Sequence, residues 1–249
     1  SDRLKALPPY LFVEIDKAKR AAIAEGRDVI NLGVGDPDQR THQPIIDALK
    51  KASEDVNNHH YPFDAGVPQL RVEIAKWFKN RFHVDLDPAT ELYPLIGSKE
   101  GIAHLPLGII NPGDKVVLTE PAYPAYQAAI TFAGGKIHYL PLKAANHFLP
   151  KMEDIEALKD VKAIFVCYPN NPTAAVADKK FYQDLVAVCK ARDIIIVSDL
   201  AYSEVYYGGI KPPRILEVAG AKDLALEFHS FSKAYYMTGC RLGWARRKP

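Results

Sequence analysis

The sequence predicts an α/β fold, a mostly parallel mixed sheet with helices on both faces. From residue 116 onward, short apolar strands alternate regularly with helical stretches. The strands at 163–167 and 194–197 are apolar without interruption, a pattern typical of strands buried on both faces. With 249 residues, of which 48% are hydrophobic, the chain can form one large domain with an appended piece.

The first hundred residues predict an arm, three helices and three turns. Apolar residues at helical spacing place helices near 12–23, 45–52 and 70–82. A glycine-rich turn at 31–38 follows a short apolar strand and permits close approach to a ligand, or is an ordinary tight turn. A turn at 61–66 comes next. The small-residue turn at 97–101 begins an apolar helix, where it either directs N–H groups at an anion or only caps the helix.

The rest of the chain predicts the alternating strands and helices in order. Strands are expected at 116–118, 137–142, 163–167, 194–197, 224–228 and 242–245, and helices at 123–133, 151–159 and 178–192.

Composition narrows the class of protein. The net charge of +2 gives no reason to expect nucleic acid or a membrane surface as a partner. The three cysteines have neither metal-ligand spacing nor an even number, so we predict no metal and a reducing compartment, the cytoplasm. No apolar run approaches membrane-spanning length, and the first residues lack the core of a signal peptide.

Polar side chains follow four of the predicted strands. Glu120 to Tyr123, Asn170 and Asn171, Asp199 to Tyr202, and Ser230 to Lys233 each come directly after a strand. Ligands of such sheets bind at the carboxyl ends of the strands, so we expect these groups to share one crevice.

The segment 230–243 suggests an anion site around an amine. Ser230 and Ser232 precede Lys233, and Arg241 follows it by eight residues. Hydroxyls and a guanidinium can hold a phosphate, and the lysine amine can attack a carbonyl. Pyridoxal 5'-phosphate (PLP) combines both groups. Taken alone, the segment also fits a polar turn with a solvated lysine and arginine.

Five motifs together carry a family resemblance that extends over nearly the whole chain. They lie at 32–38, 95–104, 168–173, 201–204 and 227–233. In these motifs the chain resembles the fold-type I, PLP-dependent aminotransferases of class I/II, and among them the LL-diaminopimelate aminotransferases.

The resemblance implies roles for the residues around the cofactor ring. Lys233 would attach to the cofactor aldehyde and then act as the base, with Asp199 and Tyr202 as the other catalytic residues. Asp199 would keep the pyridine nitrogen protonated, Asn171 and Tyr202 would hydrogen-bond the ring oxygen, and Tyr123 would stack on the ring. As structural alternatives, Asp199 could be a helix cap, Asn171 a turn residue, and the tyrosines part of the core.

The resemblance also implies the phosphate and substrate contacts. The phosphate would be held by Ser98, Lys99, Ser230, Ser232 and Arg241. Tyr61 would reach the phosphate of the neighbouring subunit, which implies a homodimer. The substrate would lie near Tyr10, Gly35, Lys99, Tyr123 and Asn171. His104 and His229 receive no role and are interpreted as packing or surface residues.

The implied reaction is transamination of LL-diaminopimelate with 2-oxoglutarate, in lysine biosynthesis. An alanine, aspartate or aromatic aminotransferase, or a PLP lyase, would share the same cofactor residues. A third alternative is a non-catalytic chain that binds PLP or only dimerises.

The sequence also departs from the family. We expect residues 1–34 to form the N-terminal arm and part of the small domain, residues 35–249 to form the large PLP-binding domain, and the C-terminal small domain, with its substrate-carboxylate arginine, to be absent. Ala174 stands where the family usually has glycine. Ala234, Tyr236 and Cys240 replace residues that are commonly Thr, Asn and Trp, and Arg40 replaces a proline or small residue.

Overall fold

The structure is a computed structural model that describes residues 1–33, 35–62 and 66–246. Its strands are β1 (Leu92–Leu95), β2 (Lys115–Glu120), β3 (Lys136–Pro141), β4 (Val161–Cys167), β5 (Ile195–Asp199), β6 (Ala225–Ser230) and β7 (Gly243–Arg246). Its α-helices are α1 (Asp2–Lys5), α2 (Leu11–Ala24), α3 (Gln43–Glu54), α4 (Pro68–Phe82), α5 (Ser98–Ile109), α6 (Pro124–Phe132), α7 (Met152–Glu156), α8 (Lys179–Ala191) and α9 (Phe231–Ala234).

The strands form one mixed sheet in the order β1-β7-β6-β5-β4-β2-β3. Strands β2 to β6 are parallel to one another, whereas β7 runs antiparallel to both of its neighbours, β6 and β1. The predicted mostly parallel sheet is therefore confirmed. Its parallel strands direct their carboxyl ends to one edge, which is where the candidate site lies.

Both faces of the sheet are covered. In β4, Ile164 packs in one core cluster with residues of α4 and α8, while Phe165 packs in a second cluster with residues of α5 and α6. Neighbouring residues of a strand point to opposite faces, so an uninterrupted apolar strand fills two cores at once. Full burial of one such side chain contributes about 2 kcal/mol.

Two predictions about elements are wrong in detail, and one strand was not predicted. The short strand expected before the glycine-rich turn does not form, and Ile30 and Leu32 are 83% and 89% exposed. Two apolar residues suggest a strand only if another strand pairs with them, and none does so in the described residues. Strand β1 was not predicted, since Pro94 interrupts its pattern, and it forms by pairing with β7. The helix expected at 151–159 is the shorter α7, 152–156.

Parts of several predictions lie outside the described residues. They are Val34 of the glycine-rich turn, where the domain boundary was placed, residues 63–65 of the turn at 61–66, and the last residues, 247–249.

Two negative findings apply to the described ranges. None of the helices there has both the length and the apolar character to cross a membrane. Within the same ranges, no three His, Cys, Asp or Glu side chains are grouped as a metal site would require.

Candidate active site

The candidate site lies at the carboxyl edge of the parallel strands. Asp199 is the last residue of β5 and Ser230 the last residue of β6. Tyr123 precedes α6, which follows β2, and Asn171 follows β4. The sheet, rather than local sequence, places these residues at one edge, because its parallel strands end there.

Asp199 is a buried carboxylate with neutral hydrogen-bond partners. The Tyr126 hydroxyl donates to Asp199 Oδ2 at 2.7 Å, and the Ala201 N–H donates to Oδ1 at 3.1 Å. Burial raises the pKa of Asp199 above its ordinary value, and the two donors only partly oppose this. A cation placed beside the carboxylate would therefore be held strongly.

Asn171 and Tyr202 meet across two strand ends. Asn171 Nδ2 donates to the Tyr202 hydroxyl oxygen at 3.4 Å. Burial raises the pKa of Tyr202 to about 12, so its phenol keeps its proton at neutral pH and can donate a hydrogen bond. The pair offers hydrogen bonds to one acceptor beside Asp199.

Lys233 presents an amine to the same edge. It lies in α9, and its Nζ donates to the Gly35 carbonyl oxygen at 2.5 Å. Burial lowers the pKa of Lys233, while the Asp36 carboxylate acts in the opposite direction. Less free energy is then needed to form the neutral amine, which is the nucleophile and base.

A cluster of hydroxyls, a guanidinium and a helix N-terminus forms an anion cradle. Arg241 Nη1 donates to Ser232 Oγ at 3.3 Å and to the Thr238 carbonyl at 2.8 Å. Gly97, with φ of 78°, precedes α5, and a Cβ on it would collide with the Arg241 guanidinium. The 12-residue helix α5, which begins at Ser98, therefore starts directly against a cation, an arrangement suited to an anion.

Ser230 has a structural contact as well. Its Oγ accepts the Ser232 N–H at 3.1 Å and so caps α9. A hydroxyl that accepts one hydrogen bond keeps its own proton to donate, so the cap does not prevent contact with an anion.

Lys99 connects the arm to the site. Its Nζ lies 5.5 Å from the ring centroid of Tyr10 and 5.9 Å from that of Tyr123. Burial raises the pKa of Tyr123, and Lys99 opposes the rise. Tyr61, the residue predicted to reach a neighbouring subunit, is 86% exposed on the stretch before α4.

The sequence was also compared with known protein families. The model of the family "Aminotransferase class I and II" matches residues 27–246. The chain belongs to this family. Membership confirms the recognised resemblance, and the aminotransferases work with PLP, the cofactor that the sequence predicts.

Curated relatives point to one subgroup of the family. The chain is 55% identical over 247 residues to the LL-diaminopimelate aminotransferase of Aquifex aeolicus and 49% identical to that of Syntrophobacter fumaroxidans. Each alignment covers 98% of this chain and 64% of the relative. The chain thus spans just under two thirds of the length of these curated relatives.

Solved structures show the same fold. Substrate-bound BacF from Bacillus subtilis superposes with a TM-score of 0.91 at 33% identity, covering all of this chain and 63% of that one. An aspartate aminotransferase mutant from Thermus thermophilus gives 0.91 at 28% identity, covering 99% of this chain and 64% of that one. The predicted fold type I is confirmed.

The donor set fits PLP. The cradle of Ser98, Ser230, Ser232 and Arg241 suits the phosphate, and the buried Asp199 carboxylate suits a protonated ring nitrogen. Lys233 supplies an amine with a lowered pKa for the aldehyde. Each functional group of the cofactor therefore has a matching partner at one edge of the sheet.

Sequence reasoning missed Tyr126. Its hydroxyl donates a hydrogen bond to Asp199. Tyr126 lies three residues after Tyr123, on the first turn of α6. A second tyrosine one helical turn after a strand-end tyrosine was the available signal, since such residues share a helix face.

The structure also explains two departures from the family. Ala174 has φ of 59° and Tyr236 has φ of 56°, both in the left-handed region. The glycine and asparagine that the family commonly has there tolerate this conformation better than alanine or tyrosine.

His229 and His104, which receive no role from the sequence, lie in different surroundings. His229 is buried and stacks on Trp244 with ring centroids 4.8 Å apart, and its Nε2 lies 2.8 Å from Glu227 Oε1. His104 is exposed and contacts Glu100 at 3.2 Å.

Proposed function

We propose that the protein is a PLP-dependent aminotransferase that takes the amino group of LL-diaminopimelate and transfers it to 2-oxoglutarate, a step of lysine biosynthesis. The observation that carries the proposal is the meeting of Asp199, Lys233 and the anion cradle at one edge of the sheet. Relatives that are 46–55% identical, all LL-diaminopimelate aminotransferases, support the substrate.

Bound PLP would supply an electron sink that makes the hydrogen on the α-carbon of an amino acid acidic. The chain's residues would orient the cofactor for this purpose. Arg241, Ser98, Lys99, Ser230 and Ser232 would hold the phosphate.

The remaining contacts would tune the ring. Asp199, supported by Tyr126, would hold the proton on the ring nitrogen, because a buried carboxylate gains most from an adjacent cation. Asn171 and Tyr202 would hydrogen-bond the ring oxygen, and Tyr123 would cover the ring face.

Lys233 would move the proton. Its Nζ would accept the proton from the substrate α-carbon and return it on the other side of the transferred nitrogen. The lowered pKa leaves more of this amine neutral, which is the form that can accept a proton.

Substrate, domains and assembly complete the proposal. Tyr10 and Gly35 would line the substrate side with Lys99, Tyr123 and Asn171. Residues 1–34 would form the N-terminal arm and part of the small domain, and residues 35–249 the large PLP-binding domain. A homodimer would bring Tyr61 to the phosphate of the partner subunit. Three free cysteines support a reducing compartment, the cytoplasm.

Lys233→Ala tests the proposal directly. Incubation with PLP followed by borohydride should label the parent chain once, and the variant should lose this label because no other amine occupies the position of Lys233. The matched control is Lys222→Ala, which removes an amine that contacts Glu91. This variant should be labelled to the same extent as the parent chain. Labelling of Lys233→Ala at another lysine would show that Lys233 is wrongly assigned.

The visible spectrum separates the remaining alternatives. Adding LL-diaminopimelate should bleach the yellow band of the PLP-loaded chain, whereas alanine or aspartate should not. A band unchanged by any amino acid would support the non-catalytic alternative, and bleaching by aspartate alone would favour an aspartate aminotransferase.

A further inference from the structure

A partly buried ion pair joins helix α4 to the turn that carries Tyr202. Arg81 Nε lies 3.2 Å from Glu204 Oε2, and the two side chains are 14% and 22% exposed. The Arg81 guanidinium also lies 4.4 Å from the ring centroid of Phe82 and 5.8 Å from that of Tyr206. Arg81 is thus fixed between its own helix and the segment after β5.

The near end of the turn is anchored to the sheet. Leu200 N–H donates to the Phe228 carbonyl of β6 at 2.8 Å, and Ser203 N–H donates to the Leu200 carbonyl at 3.2 Å. Together with the Ala201 bond to Asp199, these contacts fix the backbone of Leu200 and Ala201, just before Tyr202.

The far end of the turn is closed by a local hydrogen bond. Val205 N–H donates to the Tyr202 carbonyl at 3.0 Å, which only closes the turn on itself. The chain then continues through the exposed Tyr207 and Ile210, with left-handed glycines between them. The Arg81–Glu204 pair ties this end of the turn to α4.

Glu204 has a second charged neighbour besides Arg81. Glu204 also interacts electrostatically with the buried Arg214, whose Nη1 lies 3.5 Å from Glu227 on β6. Within the described residues, Glu204 Oε1 and Arg81 Nη2 are buried without a hydrogen-bond partner. A carboxylate in these surroundings depends on its cations for its position, since little water can replace them.

We infer that Arg81, acting through Glu204, is a positioning residue that holds Tyr202 in place to hydrogen-bond the cofactor ring. Tyr202 lies two residues before Glu204, and its hydroxyl is within 3.4 Å of Asn171. The inference rests on the proposed function for the role of Tyr202, whereas the placement of Tyr202 by Arg81 can be tested without cofactor.

Arg81→Met is the first variant, because it removes the charge and keeps much of the apolar stem. The matched control is Lys222→Met, which removes a cation from a pair of similar length, 3.3 Å to the buried Glu91 before β1, rather than from the pair with Glu204. Arg81→Lys restores a cation. If Arg81→Met does not fold, Glu204→Gln and the double variant Arg81→Met/Glu204→Gln replace it, since neither leaves Glu204 charged and unpaired.

The readouts are the ring signal of Tyr202 in ¹³C-tyrosine NMR, assigned with Tyr202→Phe, amide exchange across 200–206, and the dissociation constant for PLP. Arg81→Met should shift the Tyr202 signal, speed exchange across the turn and weaken PLP about tenfold, the equivalent of roughly one lost hydrogen bond. Arg81→Lys should recover most of each change, and Lys222→Met should resemble the parent.

Equal Tyr202 signals and equal exchange in Arg81→Met and Lys222→Met would overturn the inference, even if both variants were less stable than the parent. Failure of the parent chain to bind PLP would count against the proposed function instead. The ring signal and amide exchange of the cofactor-free chain would still decide whether Arg81 positions Tyr202.

Discussion

Among single residues, Asp199 lowers the stability of the cofactor-free chain when its buried carboxylate is ionised. Burial raises the pKa of this carboxyl above the ordinary 3.8, and its hydrogen-bond partners, Tyr126 and Ala201, are neutral. The folded chain therefore holds the Asp199 proton to higher pH than the unfolded chain does. Stability falls as pH rises from about 4 through the raised pKa, by about 1.4 kcal/mol for each unit of the shift.

Asp199→Asn should reverse this loss, because an amide has no charge to bury. Without PLP, the variant should be more stable than the parent at pH 7, and its advantage should vanish near pH 4. Urea unfolding at both values measures it. Asp87→Asn is the control, since hydrogen bonds from Ala89 and Thr90 lower the pKa of Asp87 and the difference should have the opposite sign. A pH-independent difference for Asp199→Asn would contradict the raised pKa.

Ala174→Gly should stabilise the chain. Ala174 has φ of 59°, a backbone conformation that costs an L-residue about 1–2 kcal/mol. Glycine avoids this cost, but it loses more conformational entropy than alanine on folding, which destabilises the folded chain by about 0.5–1 kcal/mol. The expected gain is up to about 1.5 kcal/mol, measured by urea unfolding. Ala177→Gly, at a fully buried position without positive φ, should instead lose about 1 kcal/mol. Equal losses in both variants would argue against strain at Ala174.

At the scale of elements, strand β1 depends on a buried ion pair as well as on its backbone. Arg246 Nη2 of β7 lies 2.5 Å from Glu91 Oε1, just before β1, and Arg246 Nη1 donates to the Lys222 carbonyl at 2.7 Å. Burial pushes the pKa of Glu91 upward, but the Asp87 N–H and Arg246 outweigh it, so the pKa lies below its ordinary value. The ionised carboxylate is therefore part of what holds β1 to β7.

Glu91→Gln should cost about 3 kcal/mol at pH 7, because it leaves the Arg246 guanidinium buried beside a neutral partner. The contribution of Glu91 is complete above about pH 4.5, the unfolded value, and is lost as pH falls through the lower folded pKa. The difference from the parent should therefore shrink in acid. Glu73→Gln, from an exposed pair with Lys76, should change stability by less than about 0.5 kcal/mol. A loss of less than about 0.5 kcal/mol for Glu91→Gln as well would contradict the role of the Glu91–Arg246 pair.

The elements also show what local sequence can predict. Strands β4 and β5 were predictable because each contains an uninterrupted apolar run, and the alternation of strands with helices along the chain implied a parallel sheet. β1 was not predictable, because Pro94 interrupts its pattern and the strand forms only through pairing with a strand about 150 residues later. The orientation of β7 follows from the same pairing and leaves no local signal.

For the whole molecule, the site was predictable to the extent that it obeys the strand-end rule. Asp199 and Ser230 end the parallel strands β5 and β6, and Lys233 lies in α9 directly after β6. Tyr126 and the Arg81–Glu204 contact escaped prediction because they approach from helices, and a residue pair 123 positions apart has no signature in one sequence. Sequence reasoning therefore identified polar groups at strand ends better than the groups on other elements that contact them.

The place of β7 in the sheet also has a consequence for biosynthesis. β7 lies between β6 and β1, yet it is the last strand described along the chain, and Leu92 pairs with Arg246. During synthesis, β1 can pair fully with β7 only after residue 246 has left the ribosome. The turn that begins α5 follows β1, and Arg241 precedes β7. If these groups hold the phosphate as proposed, we expect a nascent chain to retain the cofactor only after synthesis has passed β7. Cofactor capture should therefore be a late event, and ribosome-bound chains stalled before residue 243 should not retain PLP.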